Sequence, residues 1–176
     1  APVSQAPRID DSCVSQGHFL LSADPNPTGP EACQPWDMLI RSVSLFDTRG
    51  WRWPHFSPRE LACKCGGKFC DGAYWHDPDF LDALESLRAA VGRPLIVNSG
   101  HRCDRWNAEI GGAEHSMHRQ IAVDLALNGH DRFALLAAAE SLGFTGIGLG
   151  RAFLHLDRRA SPARWYYKRS RALWRT

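Results

Sequence analysis

Residues 116–127 read SMHRQIAVDLAL, and the second half of this stretch alternates as a β-strand does. Asp124 lies there on the same face as two alanines, opposite three larger apolar side chains. A carboxylate between small side chains indicates the wall of a cavity, because a packed apolar core would penalise it. His118 lies six residues before Asp124, a spacing that also occurs often by chance.

A second apolar run, FLHLD at residues 153–157, predicts another strand that brings His155 and Asp157 to one face. Two ionisable groups side by side are costly unless they serve a site or an ion pair. Asp157 is therefore expected to orient a ligand, to accept a proton, or to pair with Arg158, Arg159 or Arg164. His118, Asp124 and His155 could supply the three protein ligands of a catalytic zinc site. Spacing alone also allows ordinary polar residues beside two strands.

Helix and strand signals mix in the surrounding sequence. Asp77 and Pro78 predict the start of a helix that Gly92 ends, and Ser57 predicts a short helix over residues 58–62. Further helices are predicted in DRWNAEIGG and HDRFALLAAAESLG, and strands in PLIVNSG, RWYYK and a hairpin of FTGIGLG with AFLHLD. Because strict βαβ alternation is missing, the sequence predicts an α+β fold with a small antiparallel or mixed sheet and flanking helices.

The first part of the chain differs in composition from the rest. Residues 1–50 are rich in Pro, Ser and Asp, which predicts a mostly irregular N-terminal extension. Within it, residues 36–46 could form a short helix or a strand. Residues 51–176 are expected to form the compact domain.

The chain has six cysteines, at positions 13, 33, 63, 65, 70 and 103. An even number in a small chain predicts three disulfides and an oxidising compartment. Cys63 and Cys65 are too close to bridge each other, so each is expected to pair with Cys70 or Cys103. Cys13 would pair with Cys33 and staple the extension. The alternative is a structural zinc site of the four later cysteines, although C-x-C-x4-C is not a usual zinc spacing.

Composition and charge limit the possible partners. Apolar residues make up 44% and charged residues 23%, which is typical of a soluble globular protein. No run approaches the roughly 20 apolar residues of a membrane helix. From Arg158 to Thr176 there are seven Arg or Lys and no acidic residue. We expect a solvated basic tail or, alternatively, attraction to an anionic polymer.

The opening APVSQAPRIDD suits a mature end after cleavage, and with the cysteines it predicts a secreted or periplasmic protein.

Four segments follow one another in a distinctive order, over roughly residues 56–168: FSPRELACKCGG, LDALESLRAAVGRPLIVNSG, VNSGHRCDRWNAEIGGAEHSMHRQIAVDL and FTGIGLGRAFLHLDRRASPARWYY. Together they resemble the M15 family of zinc peptidases, of the D-alanyl-D-alanine carboxypeptidase type. The family pattern is Ser-Gly-Tyr-Arg, then Asn and Gly-Gly, then Ser-x-His-x-x-Gly-x-Ala-x-Asp, and finally Phe-x-His-x-Asp. The resemblance implies the fold that these peptidases share with hedgehog signalling domains.

The resemblance also implies roles for individual residues. His118, Asp124 and His155 are the implied ligands of Zn²⁺, as the strand pattern also suggests. Arg102 is the implied substrate anchor, and an arginine at the end of a strand can hold a carboxylate through its planar fork of donors. Ser116 and His101 are expected to contact substrate, with His101 at the position where the family usually has Tyr.

The sequence departs from the family pattern near the site. Between His118 and Asp124 the usual Gly is missing and the spacing is one residue shorter, so the loop must turn more tightly. His115 is a neighbouring substitute ligand, but it fits the pattern less well. Several branches carry an acidic base three residues before the last His, where this chain has Ala152. Asp157 is then the candidate general base.

Three classes of function follow. The first is a monomeric zinc peptidase that hydrolyses peptidoglycan stem peptides, either as a D-Ala-D-Ala carboxypeptidase or as a related endopeptidase. The second is a zinc-binding module of the same fold that binds cell-wall or protein ligands without catalysis. The third is a nucleic-acid binder, which would need basic and aromatic residues interleaved along a groove. RWYYKRSRALWR offers them only at the chain end, so no nucleic-acid partner is expected.

Overall fold

The computed structural model describes residues 38–175. The predictions for residues 1–37, including a bridge between Cys13 and Cys33, lie outside the described residues. The helices are α1 (Pro58–Leu61), α2 (Pro78–Val91), α3 (Asp104–Glu109) and α4 (Arg132–Ser141). The strands are β1 (Met38–Ile40), β2 (Tyr74–His76), β3 (Val97–Ser99), β4 (Val123–Ala126), β5 (Gly146–Leu149), β6 (Phe153–Asp157) and β7 (Ala163–Tyr166). This arrangement confirms the predicted α+β class.

The strands form two sheets. β1 pairs with β2 in a small antiparallel sheet, and the larger sheet has the order β3-β4-β6-β5-β7. In the larger sheet β5 and β6 form the predicted hairpin, whereas β7 runs parallel to β5. The sheet is therefore mixed, as the prediction allowed.

The helix ends follow the local chemistry of the sequence. In α1, the Ser57 hydroxyl accepts the backbone N–H of Glu60, whose carboxylate accepts the N–H of Ser57. In α2, the Asp77 carboxylate accepts the N–H of Phe80, and Gly92 ends the helix with a left-handed backbone. Both predicted helices are confirmed because each cap satisfies backbone groups that the helix leaves unpaired.

One face of the larger sheet is apolar and packs into the core. The core combines this face with α1, α2 and α4, and it contains the buried residues Leu61, Phe80, Leu84, Leu87, Val123, Leu125, Leu135, Ile147, Leu149, Leu154 and Leu156. Alternation along each strand leaves the opposite face for polar side chains. That opposite face of β4 and β6 carries the candidate site.

Residues near both ends of the described range contribute to the fold. β1 pairs with β2, so residues 38–40 of the predicted extension form regular structure. At the other end, β7 completes the sheet, and Trp174 is buried with its indole N–H donating to the Gly150 carbonyl at 2.7 Å. The basic segment is thus partly built into the fold and does not form a free tail. None of the helices in residues 38–175 is long and apolar enough to cross a membrane.

The predicted disulfides of the four later cysteines are wrong. Cys63, Cys65, Cys70 and Cys103 are all free. The Sγ atoms of Cys65 and Cys70 lie 3.6 Å apart, whereas a disulfide requires about 2.0 Å. An even cysteine count therefore indicated the wrong chemistry for this group.

Candidate active site

A single row of cross-strand partners builds the floor of the site. Asp124 on β4 lies beside His155 on β6, and Ser99 on β3 is the partner of Asp124 on its other side. Beyond His155 the row continues with Gly148 on β5 and Trp165 on β7. Side chains of cross-strand partners project from the same face, so the register itself brings the aspartate and the histidine together.

His118 reaches this row from a short turn above the sheet. Met117–Arg119 form a 3₁₀ turn, and the Ser116 hydroxyl accepts the N–H of His118 at 3.3 Å. The backbone N–H of Arg102 donates to the carbonyl of His118 at 2.6 Å, which fixes the turn against the end of β3. Although the spacing between His118 and Asp124 is one residue shorter than in the family pattern, the loop therefore still places the imidazole next to the carboxylate of Asp124.

The three predicted metal ligands converge. His118 Nε2 lies 3.1 Å from Asp124 Oδ1, and His155 Nδ1 lies 2.9 Å from the same oxygen. The two facing ring nitrogens are 3.0 Å apart. Three donors at about 2.0–2.1 Å from a tetrahedral ion would be separated by about 3.3 Å. The observed spacing suits a single small cation.

The outer nitrogens of both rings carry the protons. His118 Nδ1 donates to the Gly100 carbonyl at 2.7 Å, and His155 Nε2 donates to Asp157 Oδ2 at 3.0 Å. A carbonyl and a carboxylate can only accept, so in neutral rings the inner nitrogens are bare lone pairs. Those lone pairs and Asp124 Oδ1 face one another across about 3 Å. This donor set fits a metal ion, which satisfies all three acceptors together.

Burial and neighbouring charges lower the pKa of one of the two histidines and raise the pKa of the other. Burial lowers the pKa of His118 and outweighs the attraction of Asp124 for the protonated ring. Burial also opposes protonation of His155, but the attraction of Asp124 and Asp157 for the protonated ring outweighs burial and raises the pKa. The pKa of Asp124 lies well below its usual range: burial opposes this shift, but both histidines outweigh burial. The carboxylate is thus ready to bind a cation.

Arg102 closes one side of the site. Its Nη2 donates to Asp124 Oδ2 at 2.7 Å, and its Nε donates to the Ser99 hydroxyl at 2.8 Å. The guanidinium therefore holds the carboxylate oxygen of Asp124 that does not contact His118 and His155. Arg102 also lines the cavity above the row, where the resemblance placed a substrate anchor.

Asp157 lies beside His155, the last of the three converging donors, and is fully buried. Its carboxylate accepts the His155 N–H and a two-pronged contact from Arg159, whose Nη2 lies 2.5 Å from Oδ2. Of the three arginines that sequence left open as partners, Arg159 makes this ion pair. Asp157 does not line the cavity. This placement favours the ligand-orienting role over the role of general base.

Two glycines of β5 make room for side chains of the site. A Cβ on Gly146 would lie 1.9 Å from Asp157 Oδ1, and one on Gly148 would lie 2.8 Å from the Trp165 ring. Gly146 and Gly148 are the cross-strand partners of Asp157 and His155. The Gly-x-Gly pattern is therefore required on this face because any side chain there would occupy the space of the site.

A cavity of about 480 Å³ opens above the donors. Its walls combine the three ligands with polar, small and aromatic side chains: Arg102, Ile110, Gly111, Gly112, Ala113, Ser116, Met117, Phe153, Arg159, Trp165 and Tyr167. Sequence reasoning did not place Arg159, Trp165 or Tyr167 at the cavity, although it named Arg159 as a possible partner of Asp157. Strand alternation in ARWYY could have indicated Trp165 and Tyr167, which lie two residues apart as neighbours of one face are expected to.

The other predicted site residues have different placements. Ser116 lines the cavity, as expected for a substrate contact. His101 is buried away from the cavity, and its Nδ1 lies 2.9 Å from the Gln120 carbonyl. Burial lowers its pKa, and its ring lies near Trp75. His115 is exposed and takes no part in the donor cluster.

Comparison with known proteins agrees with this geometry. The sequence matches the family model described as Peptidase M15 over residues 54–157, which is more than half of the chain. The matched range includes Arg102, His118, Asp124 and His155 and ends at Asp157. No curated protein matches the sequence. From the family match and the converging donors, we conclude that this chain belongs to the M15 peptidase family.

Proposed function

We propose that this chain is a zinc-dependent peptidase that hydrolyses peptidoglycan stem peptides, as a D-Ala-D-Ala carboxypeptidase or a related endopeptidase. The observation that carries the proposal is the set of three inward-facing acceptors of His118, Asp124 and His155, about 3 Å apart at the base of a cavity. Two imidazoles and one carboxylate match a catalytic zinc site, which keeps a further position open.

Zinc bound there would polarise a carbonyl and lower the pKa of a water molecule toward about 7. The chain fixes the geometry for this chemistry before substrate arrives. The Gly100 carbonyl and Asp157 hold the outer nitrogens of the two imidazoles, and Arg102 holds the second oxygen of Asp124. Such outer contacts orient ligands and raise their basicity.

The cavity wall supports a small peptide as substrate. Its volume of about 480 Å³ lies within the range of small-molecule sites. Phe153, Trp165 and Tyr167 form an apolar side that suits the methyl groups of alanine, while Arg102 and Arg159 offer positive charge for a terminal carboxylate. We expect Arg102 to hold this carboxylate or to stabilise the negative charge that develops on the carbonyl oxygen.

One observation favours the second candidate, a zinc-binding module without hydrolytic activity. Among the cavity-lining residues that the structure describes, Asp124 is the only carboxylate. Asp157, the candidate base from the sequence, has its oxygens engaged by His155 and Arg159. We propose that Asp157 orients His155, so a peptidase must move the proton through a group other than this carboxylate.

Hydrolysis of defined stem peptides separates the two candidates. The chain, loaded with zinc, is incubated with stem pentapeptide and with cross-linked wall fragments, and released D-alanine and cleaved peptides are measured. A peptidase releases product, stops with a chelator and recovers with added zinc. Asp124→Asn is the inactive control. Zinc binding and peptide binding with no hydrolysis of any fragment would contradict the peptidase proposal and support the binding module.

A wall substrate also fits the predicted secreted or periplasmic location, which stays a prediction. The cysteines give this location less support than expected, because the four described cysteines are free and form no disulfide. The monomeric state and the absence of a nucleic-acid partner likewise stay predictions. Arg159 and Arg164 of the basic segment form ion pairs with Asp157 and Glu140, which reduces the charge available to a polyanion.

A further inference from the structure

We propose that Cys63, Cys65, Cys70 and Cys103 bind a second metal ion, a structural zinc. Their sulfur atoms all lie within 4.8 Å of one another, although Cys103 is distant in sequence from the other three. This site is separate from the peptidase centre and does not depend on its chemistry.

The distances between the sulfur atoms match tetrahedral coordination of one zinc ion better than two disulfide bonds. Thiolates at about 2.3 Å from one zinc ion lie about 3.8 Å from each other. Cys65 Sγ and Cys70 Sγ are 3.6 Å apart, close to that edge length and far beyond a sulfur–sulfur bond. Four soft thiolates in one cluster select zinc over the harder divalent ions.

The backbone around the sulfurs is arranged to favour thiolates. The N–H of Ala73 donates to Cys70 Sγ and the N–H of Cys103 donates to Cys63 Sγ, both at 3.4 Å. Gly66 and Gly67 adopt left-handed backbones, with φ of 64° and 84°, and form a tight turn after Cys65. Side chains rarely adopt such φ values, so the two glycines permit a turn that folds the chain back toward the cluster.

The position of the cluster indicates what the ion would do. Cys63 follows the end of α1, Cys65 and Cys70 lie on the loop before β2, and Cys103 is the residue that precedes α3. Four protein ligands leave no open position, which is typical of a structural site. Because Arg102 directly precedes Cys103, the ion would also anchor the chain segment that carries this arginine.

Metal analysis and cobalt substitution test the proposal on the full chain purified under reducing conditions. We expect two zinc ions per chain, one at each donor cluster. Replacement by Co²⁺ should give the intense sulfur-to-cobalt absorption of a four-thiolate site, which imidazole and carboxylate ligands do not produce. A His118→Ala, His155→Ala double variant should lose one ion and keep this absorption in full.

Matched cysteine variants locate the thiolate site. Cys65→Ser with Cys70→Ser should abolish the sulfur-to-cobalt absorption, whereas Cys13→Ser with Cys33→Ser removes the same number of thiols and should leave it unchanged. Loss of the absorption in the second pair would contradict the assignment. If the first pair does not fold, the wild-type spectrum still decides. One zinc per chain with no sulfur-to-cobalt absorption, or four cysteines resistant to alkylation because they form disulfides, would overturn the proposal. Neither result would affect the hydrolysis test.

Discussion

Both ring nitrogens of His155 make contacts, and these contacts determine the roles of the neighbouring carboxylates. Its Nδ1 faces the other metal donors while its Nε2 donates to Asp157. Arg159 neutralises Asp157 from the other side, so the carboxylate stays ionised in a fully buried position. A buried charge is tolerated when it is paired and hydrogen-bonded. We therefore propose that Asp157 is a positioning residue, whose effect on a bound metal would pass through His155.

Asp157→Asn separates orientation from proton transfer. The amide can still accept the His155 N–H, but it loses the charge that raises imidazole basicity. Loss of such a contact typically costs about 10–100-fold in metal affinity. We expect zinc affinity, measured by competition with a chromophoric chelator, to fall by about this factor. At saturating zinc most of the hydrolysis rate should return. A rate that stays near zero with zinc fully bound would show that Asp157 is the base.

Arg102→Ala tests the guanidinium on the cavity wall. Removing one donor that stabilises developing charge typically lowers the rate by about 10²–10³, and we expect a loss of that size in kcat/KM. Arg102→Lys should restore little, because an ammonium cannot contact Ser99 and Asp124 in the fork geometry. Arg105→Ala, an exposed position on α3, is the matched control. Equal activity of the Arg102 and Arg105 variants would contradict a role for Arg102.

The sequence carried enough information to predict which three side chains converge but not their surroundings. His118, Asp124 and His155 could be chosen because strand alternation and the ordered motifs point to the same three residues. The contact of His118 with the Gly100 carbonyl could not, since it depends on how a turn lies over a strand end. His101 was expected to contact substrate, yet its ring packs into the interior and contacts the Gln120 carbonyl.

At the level of elements, the site depends on β5 as much as on the strands that carry the ligands. Gly146 and Gly148 are the cross-strand partners of Asp157 and His155. Gly146 leaves the space that Asp157 fills, and Gly148 leaves space for the rings of Trp165 and Tyr167. The hairpin was predictable from its two apolar runs and the turn between them. The parallel pairing of β5 with β7 was not, because it joins strands that are not consecutive in the chain.

Gly146→Ala should therefore damage the site through the fold. The new Cβ would lie 1.9 Å from Asp157 Oδ1, so the buried ion pair with Arg159 must shift. Overpacking of this kind costs about 1–3 kcal/mol, and we expect a loss of that size in the free energy of unfolding from urea titration. Zinc affinity should fall as well. Gly50→Ala has open space around it and an ordinary backbone, so its stability should be unchanged. Equal stability of both variants would refute this packing argument.

At the scale of the whole molecule, the cysteine count was misleading for the four described cysteines. Six cysteines in a small chain predicted disulfides, but sulfur positions depend on the fold and not on their number. The fold brings Cys103 to the loop of Cys63, Cys65 and Cys70, and there the four thiols form a cluster with no bridge. The compact unit and its mixed sheet, in contrast, followed from capping residues and apolar periodicity.

The pH dependence of stability should report the buried carboxylate. Burial opposes ionisation of Asp157, but Arg159 and His155 outweigh it and hold the pKa well below its usual range. A depressed folded-state pKa stabilises the fold above the unfolded value of about 4, and this contribution is lost as pH falls below it. Urea titrations of chelator-treated wild type and Asp157→Asn should show a stability difference that shrinks below about pH 4. A difference that stays constant into strong acid would contradict the shifted pKa.

The central claim is that His118, Asp124 and His155 hold one zinc ion at the base of the cavity. Anomalous X-ray diffraction on both sides of the zinc absorption edge, from crystals of the zinc-loaded chain, tests it most directly. The account predicts an edge-dependent peak at about 2.0–2.1 Å from His118 Nε2, Asp124 Oδ1 and His155 Nδ1. Crystals that contain zinc but show no peak between these three atoms would contradict the claim.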